Sequence, residues 1–190
     1  MPARARLIVF ARAPVIGGAK TRLAAGIGKV MAWRAYRAMT AKTLRAVRDD
    51  ARWQSVLVVS PDAAMHRDFG PVWPEDLERW PQGEGDLGTR QARVFGCAGP
   101  VAVIGTDAPD ITRRDVARGF ALLKRHDAVI GPASDGGYWL LALKAAPPPG
   151  LFDGIRWSSA HTRSDLESRL REHGLSRIAY LRELADVDEA

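Results

Sequence analysis

The segment Gly105-Thr106-Asp107-Ala108-Pro109-Asp110 follows a short apolar run, Val101 to Ile104, that reads as a buried strand. A carboxylate delivered at the C-terminal tip of such a strand stands where open α/β sheets bind their ligands, in the crevice beyond the strand ends. Pro109 blocks any extension of the strand, because it has no amide proton to give to a ladder. Asp107 is therefore a candidate ligand for a divalent cation held against a phosphorylated molecule, since hard carboxylate oxygens suit such ions. A second account is that Asp107 or Asp110 merely caps the helix expected to start near Thr112.

The run from Arg12 to Arg22 (RAPVIGGAKTR) could hold the phosphates. Gly17 and Gly18 let backbone approach an anion closely, while Arg12, Lys20 and Arg22 bring charge and forked donors. The run is not a Walker A loop, because Gly-Gly-Ala-Lys-Thr lacks the earlier glycine, and it has no GxGxxG pattern. A basic loop without a ligand is the other reading. In Gln82 to Arg90 (QGEGDLGTR), Gln82 offers an amide able to pair with a base edge, and Gly88 permits a flat ring against backbone. A plain turn before a helix accounts for the same residues.

Ser134-Asp135-Gly136-Gly137-Tyr138 joins two strand-like runs, and its glycines allow a bend that aims Asp135 and Tyr138 at a ligand. A bulge in which Asp135 satisfies nearby amides competes with that reading. Trp157, Ser158, Ser159 and His161 precede the last helix, where Ser158 or Ser159 could serve as N-cap. Asp186-Val187-Asp188-Glu189 has the composition of an acidic tail.

The elements that must position these residues alternate. Strands are expected over 4–11, 54–60, 77–82, 101–105, 128–133, 138–143 and 176–180. Helices are expected over 28–50, 63–69, 88–95, 113–125 and 163–173, and the three prolines after Ala146 require irregular chain. Strands alternating with helical patterns imply an α/β fold: a mostly parallel central sheet with helices on both faces, in one domain spanning residues 1–190. The runs around 128–143 suggest a bent or paired unit across one edge of the sheet, and Trp73 and Trp80 are expected at the surface or an interface.

Composition sets outer bounds. With 46% hydrophobic and 26% charged residues, the chain falls in the ordinary globular range. One cysteine, Cys97, excludes an internal disulfide framework and, with no signal-peptide core or membrane-length apolar run, points to the cytoplasm. A net charge of +6 invites a nucleic-acid partner, but the basic residues are scattered and no nucleic-acid-binding signature is present. An anionic small molecule suits that charge equally well. The oligomeric state is left open.

Read in order, the basic loop with Lys-Thr-Arg, Gln…Leu-Gly-Thr, Gly-Thr-Asp-Ala-Pro-Asp, Asp-Gly-Gly-Tyr, Trp-Ser-Ser and Asp-Val-Asp resemble one superfamily over nearly the whole chain. They look like the small bacterial nucleotide-diphospho-sugar transferases of GT-A fold, particularly the arsenosugar-biosynthesis glycosyltransferase family. A more distant similarity is to 2-phospho-L-lactate guanylyltransferase and the molybdenum-cofactor guanylyltransferase. The resemblance implies a transferase that binds a nucleotide or nucleotide sugar with Mg²⁺ or Mn²⁺ and acts on a small acceptor. Glycosyl transfer leads, nucleotidyl transfer with pyrophosphate release follows, and nucleotide binding without catalysis is the third possibility. By that resemblance Arg12, Lys20 and Arg22 neutralise phosphates, and Gln82, Gly88 and Thr89 hold the base. Asp107 and Asp188, or Asp186, ligate the metal, and Asp135 to Tyr138 with Trp157 to His161 border the acceptor. Three departures stand out: Arg12 where lysine is usual, Ala108 where cysteine is frequent, and a chain that stops just after Asp188 where relatives continue.

Overall fold

The structure, a computed structural model, describes residues 4–185. Its seven strands are β1 (Ala5–Arg12), β2 (Trp53–Ser60), β3 (Glu78–Pro81), β4 (Val101–Ile104), β5 (Ala128–Pro132), β6 (Tyr138–Leu143) and β7 (Ile178–Tyr180). The helices are α1 (Thr21–Ile27), α2 (Lys29–Val47), α3 (Leu87–Phe95), α4 (Arg113–Leu122) and α5 (Thr162–Glu172). All the strands form one sheet in the order β3-β2-β1-β4-β6-β5-β7. β3, β2, β1 and β4 run parallel, β6 alone is reversed against both neighbours, and β5 pairs parallel with β7.

Alternation along the strands divides the core between the two faces. Leu7, Val9, Leu57, Val59 and Ile104 pack with Leu44 and Val47 of α2 and Val116 of α4. Ile8, Val56, Val58, Val103 and Leu141 pack with Val94 and Phe95 of α3 and Leu166 and Leu170 of α5. Side chains alternating across a pleat create this division, and the expected mostly parallel sheet with helices on both faces follows from it.

Several expectations are corrected. The β5–β6 hairpin lies inside the sheet, not across its edge, with β7 outermost. The run Trp139–Leu143 is buried throughout, and an apolar strand of that kind needs a neighbour on each side. Residues 63–69 form no α-helix; there are only 3₁₀ turns at Asp62–Ala64 and Gly70–Val72. Trp73 is fully buried, its ring edge-on to Phe69 at 4.6 Å between centroids. The helix expected over 28–50 ends at Val47, and the basic loop yields an additional helix, α1.

The helix caps also differ from expectation. Thr112, not Asp107 or Asp110, caps α4 through a reciprocal capping box with Asp115. At α5 the N-cap position is His161, and Ser159 instead accepts the His161 amide at 3.2 Å and donates to the Arg156 carbonyl at 2.7 Å. Asp107 is thereby relieved of any capping duty.

Candidate active site

The parallel strands point their C-terminal ends to one side, where a cleft of ≈590 Å³ opens. Register fixes what meets there. Pro81 pairs with Val59, and Arg12 with Ser60. Counting onward from the pairs Val9–Ile104 and Ile104–Leu140, Asp107 comes level with Arg12 and Gly137. One row across the sheet end therefore reads Gln82, Ser60, Arg12, Asp107, Gly137. Of these, Gln82, Arg12, Asp107 and Gly137 line the cleft.

At the centre of the row the Lys20 ammonium meets the Asp107 carboxylate at 2.7 Å. Lys20's side chain is 3% exposed, whereas Asp107's is 48% exposed and faces the opening. Lys20 sits at the N-cap of α1 with left-handed backbone, φ 57°. The loop before it turns back on itself through hydrogen bonds from the Val15 amide to Ala13 and the Gly18 amide to Val15. Gly17, at φ +76°, supplies a left-handed step that non-glycine residues disfavour. α2 ties the loop down: Trp33 Nε1 donates to the Pro14 carbonyl at 2.7 Å, and the buried Tyr36 hydroxyl donates to the Arg12 carbonyl and accepts from the Arg12 amide. Burial raises the Tyr36 pKa despite hydrogen bonds with Thr106 and Arg12 backbone, so the hydroxyl stays protonated to hold that bond.

Other expected residues divide into those facing the cleft and those supporting it. Arg12, Lys20, Arg22, Gln82, Asp107, Asp135, Gly137, Tyr138 and Ser158 line it. Gln82 is buried; its amide nitrogen donates to the Val58 and Ala11 carbonyls, and its side-chain oxygen accepts from Arg90 at 3.0 Å. Gly88 and Thr89 lie away from the lining. A Cβ on Gly88 would stand 3.1 Å from Trp157 Nε1, so Gly88 lets α3 lie against Trp157. Thr89 gives its amide and hydroxyl to Asp86, the N-cap of α3, and these bonds lower the Asp86 pKa.

Asp135 accepts the Gly137 amide at 2.8 Å, and Gly136 (φ +87°) lies so close to the Ala160 backbone that any Cβ would collide with it. Trp157 and His161 belong to this supporting layer; Trp157 packs beside Phe152, with ring centroids 6.4 Å apart. Sequence reasoning missed Tyr36, Gln91 and Thr106, all buried and all lining the cleft. A polar side chain on an otherwise apolar helix face was the signal available for Tyr36.

Asp188 and Asp186 lie outside the described residues. The Leu184 amide donates to Pro132 and its carbonyl accepts from Ser134, beside Ala133 in the cleft wall. Among the described residues no group of three or more acidic, histidine or cysteine side chains is placed to hold a metal. The donor chemistry at Asp107 still fits one. Its carboxylate is hard, opens to the cleft, and already accommodates a cation, the Lys20 ammonium, at contact distance.

No curated protein sequence matches this chain. Its fold matches a protein from Desulfovibrio desulfuricans G20, provisionally named a nucleotide-diphospho-sugar transferase, with a TM-score of 0.84 and 26% identity over 97% of this chain and 82% of that one. It also resembles CMP:2-keto-3-deoxy-manno-octonic acid synthetase complexed with CTP (TM-score 0.60, 13% identity, 98% and 94% coverage). Glucosyl-3-phosphoglycerate synthase from Mycobacterium tuberculosis, complexed with Mn²⁺ and UDP, matches with a TM-score of 0.58 and 10% identity over 96% and 70%. The fold is that of the nucleotide-diphospho-sugar transferases. A family model covers residues 43–159, more than half the sequence, and the chain belongs to the family described as uncharacterized protein conserved in bacteria (DUF2064).

Proposed function

We propose that the cleft binds a nucleotide sugar and that the protein is a metal-dependent transferase moving a glycosyl group to a small acceptor. The observation that carries this reading is the Lys20–Asp107 pair beyond the tips of the central strands, with Arg12 and Arg22 lining the same cleft. Such a site offers positive charge for a diphosphate and a carboxylate for the cation that accompanies it.

In this reading Arg12, Lys20 and Arg22 hold the phosphates and stabilise charge that develops as the nucleoside diphosphate leaves. Gly17 and Gly18 let the loop come close to them. Gln82 marks the base end, while Gly88 and Thr89 serve the nucleotide through α3, Gly88 by letting the helix lie against Trp157 and Thr89 by bonding its Asp86 cap. Asp107, with Asp188 as second ligand, would hold Mg²⁺ or Mn²⁺, whose chemistry is Lewis-acid neutralisation of the leaving diphosphate. Asp135, Gly136, Gly137, Tyr138, Trp157, Ser158 and His161 form and brace the acceptor wall. Holding donor and acceptor in line lets the acceptor hydroxyl displace the diphosphate at the anomeric carbon.

Incubation with nucleotide sugars should give slow hydrolysis that requires Mn²⁺ or Mg²⁺. One observation favours nucleotidyl transfer instead: Arg12, Lys20 and Arg22 together suit a triphosphate. Pyrophosphate release from a nucleoside triphosphate and a phosphorylated acceptor would establish that second reaction. Nucleotide binding indifferent to metal and to Asp107→Ala would mean binding without catalysis.

A further inference from the structure

Gln91 lies on the buried side of α3 and is 3% exposed, yet it lines the cleft. Its Nε2 donates to the Tyr138 hydroxyl at 2.5 Å, while its Oε1 is buried without any hydrogen-bond partner. Burial also raises the Tyr138 pKa, so its hydroxyl keeps a proton that the bond from Gln91 leaves free to donate. An orphan acceptor and an unused donor thus stand side by side in a wall otherwise built of packed residues. Buried carbonyl oxygens in native proteins are normally paired, and one left without a partner in a residue that lines a ligand cleft invites a donor from the ligand.

We propose that Gln91 and Tyr138 together recognise the hydroxyls of a sugar ring. A hydroxyl both donates and accepts, so neighbouring hydroxyls can satisfy the Gln91 oxygen and the Tyr138 proton at once. A phosphate accepts only and would leave the Gln91 oxygen unpaired. Position separates Tyr138 from the base end. Tyr138 adjoins Gly137, at the opposite end of the row from Gln82, with Arg12 and Asp107 between. The inference rests on the nucleotide reading above and adds to it the class of group bound on the β6 side. Gln91 and Tyr138 are binding residues here and take no part in bond making.

The sugar can belong to donor or acceptor, and two titrations distinguish the sources. In the first, UDP and GDP are compared with UDP-glucose and GDP-mannose by calorimetry in Mn²⁺, for the wild type and Gln91→Leu. In the second, protein saturated with the diphosphate is titrated with a hexose phosphate. Gln91→Leu is expected to leave diphosphate affinity within about twofold and to weaken the sugar-bearing ligand roughly tenfold, the loss of a neutral hydrogen bond. A selective loss in the first titration assigns the donor sugar, and in the second the acceptor. Sugar-bearing ligands bound equally by wild type and variant in both titrations would overturn the proposal, as would an equal loss of plain diphosphate. Wild-type protein that binds no diphosphate at all refutes the nucleotide reading itself, and the inference falls with it. Gln91→Leu removes the orphan oxygen and also the donor to the Tyr138 hydroxyl, so its melting temperature is measured beside the titrations to tell a folding defect from a binding one. Should Gln91→Leu not fold, Tyr138→Phe deletes the hydroxyl, and with it the bond it accepts from Gln91, and is expected to show the same selective loss.

Discussion

Lys20 and Ser158, at φ 57° and 56°, are the non-glycine residues with positive φ among those described, and both line the cleft. Left-handed backbone costs an ordinary L residue roughly 1–2 kcal/mol, and proteins tend to retain such strain where it aims a side chain at a ligand. Ser158→Gly is therefore expected to raise stability by about 1 kcal/mol or leave it unchanged, whereas Ser158→Val should lower it by about 1–3 kcal/mol. Denaturant melts of the two variants check this, and a Val variant as stable as wild type would mean the backbone there is unstrained. At Lys20 the side chain matters more than the backbone: Lys20→Ala should weaken nucleotide binding more than Tyr138→Ala does, measured by titration. An equal loss would mean that the phosphate loop is misassigned. Residue types made Lys20 and Asp107 legible in the sequence, because a lysine after glycines and an aspartate at a strand tip have few bland roles. Gln91 was not legible: between Gly88 and Val94 it reads as one more polar helix position, and only packing shows it turned inward.

Elements were legible where an apolar period was long enough to count. α2 buries Ala32, Tyr36, Met39, Thr43, Leu44 and Val47 at helical spacing, and β2 carries the apolar run Val56 to Val59, so both stand out. α1 buries Leu23 alone in seven residues and offers no period to detect. Nor does local sequence show that β6 enters the sheet reversed between β4 and β5, because pairing partners are set by the whole sheet. The segment before Leu184 carries another such non-local tie. Arg182 bonds both Asp115 oxygens, at 2.9 and 2.8 Å, and the Asp110 carbonyl at 2.8 Å, joining the segment before Leu184 to the start of α4. Burial opposes ionisation of Asp115, but hydrogen bonds from Arg182 and Thr112 outweigh it and lower its pKa from 3.8 to about 2. A carboxylate with a depressed folded-state pKa stabilises fully above its unfolded value, and that contribution is lost as pH falls from about 4 to about 2. Its size is on the order of 2 kcal/mol. Asp115→Asn should therefore flatten stability against acid in that window, and an unchanged acid profile would show the pair to be inconsequential. A second test at this scale concerns the β5–β6 turn. Gly136→Ala must push against the Ala160 backbone at positive φ, so it should cost about 2 kcal/mol or more in denaturant unfolding.

Across the whole molecule, the core and the site are built by different groups. Two apolar clusters, one on each face of the sheet, hold the strands in register, while the ionised residues at the strand tips face the cleft. Among the described residues no helix is long and apolar enough to cross a membrane. Because Lys20 already neutralises Asp107 at 2.7 Å, folding makes no evident demand for a metal. Chelation with EDTA should therefore leave the melting temperature of ligand-free protein unchanged while abolishing transfer. On the proposed function, nucleotide and Mn²⁺ together should add stability by mass action, about 2.7 kcal/mol at a hundredfold excess over Kd. For a chain of this length that corresponds to a rise on the order of 5–10 °C. Asp107→Ala should keep any shift caused by nucleotide alone and lose the further increment from Mn²⁺, because the cation's partner is gone while Arg12, Lys20 and Arg22 remain for the phosphates. A Mn²⁺ increment that survives Asp107→Ala would place the cation elsewhere and separate the strand tip from the chemistry.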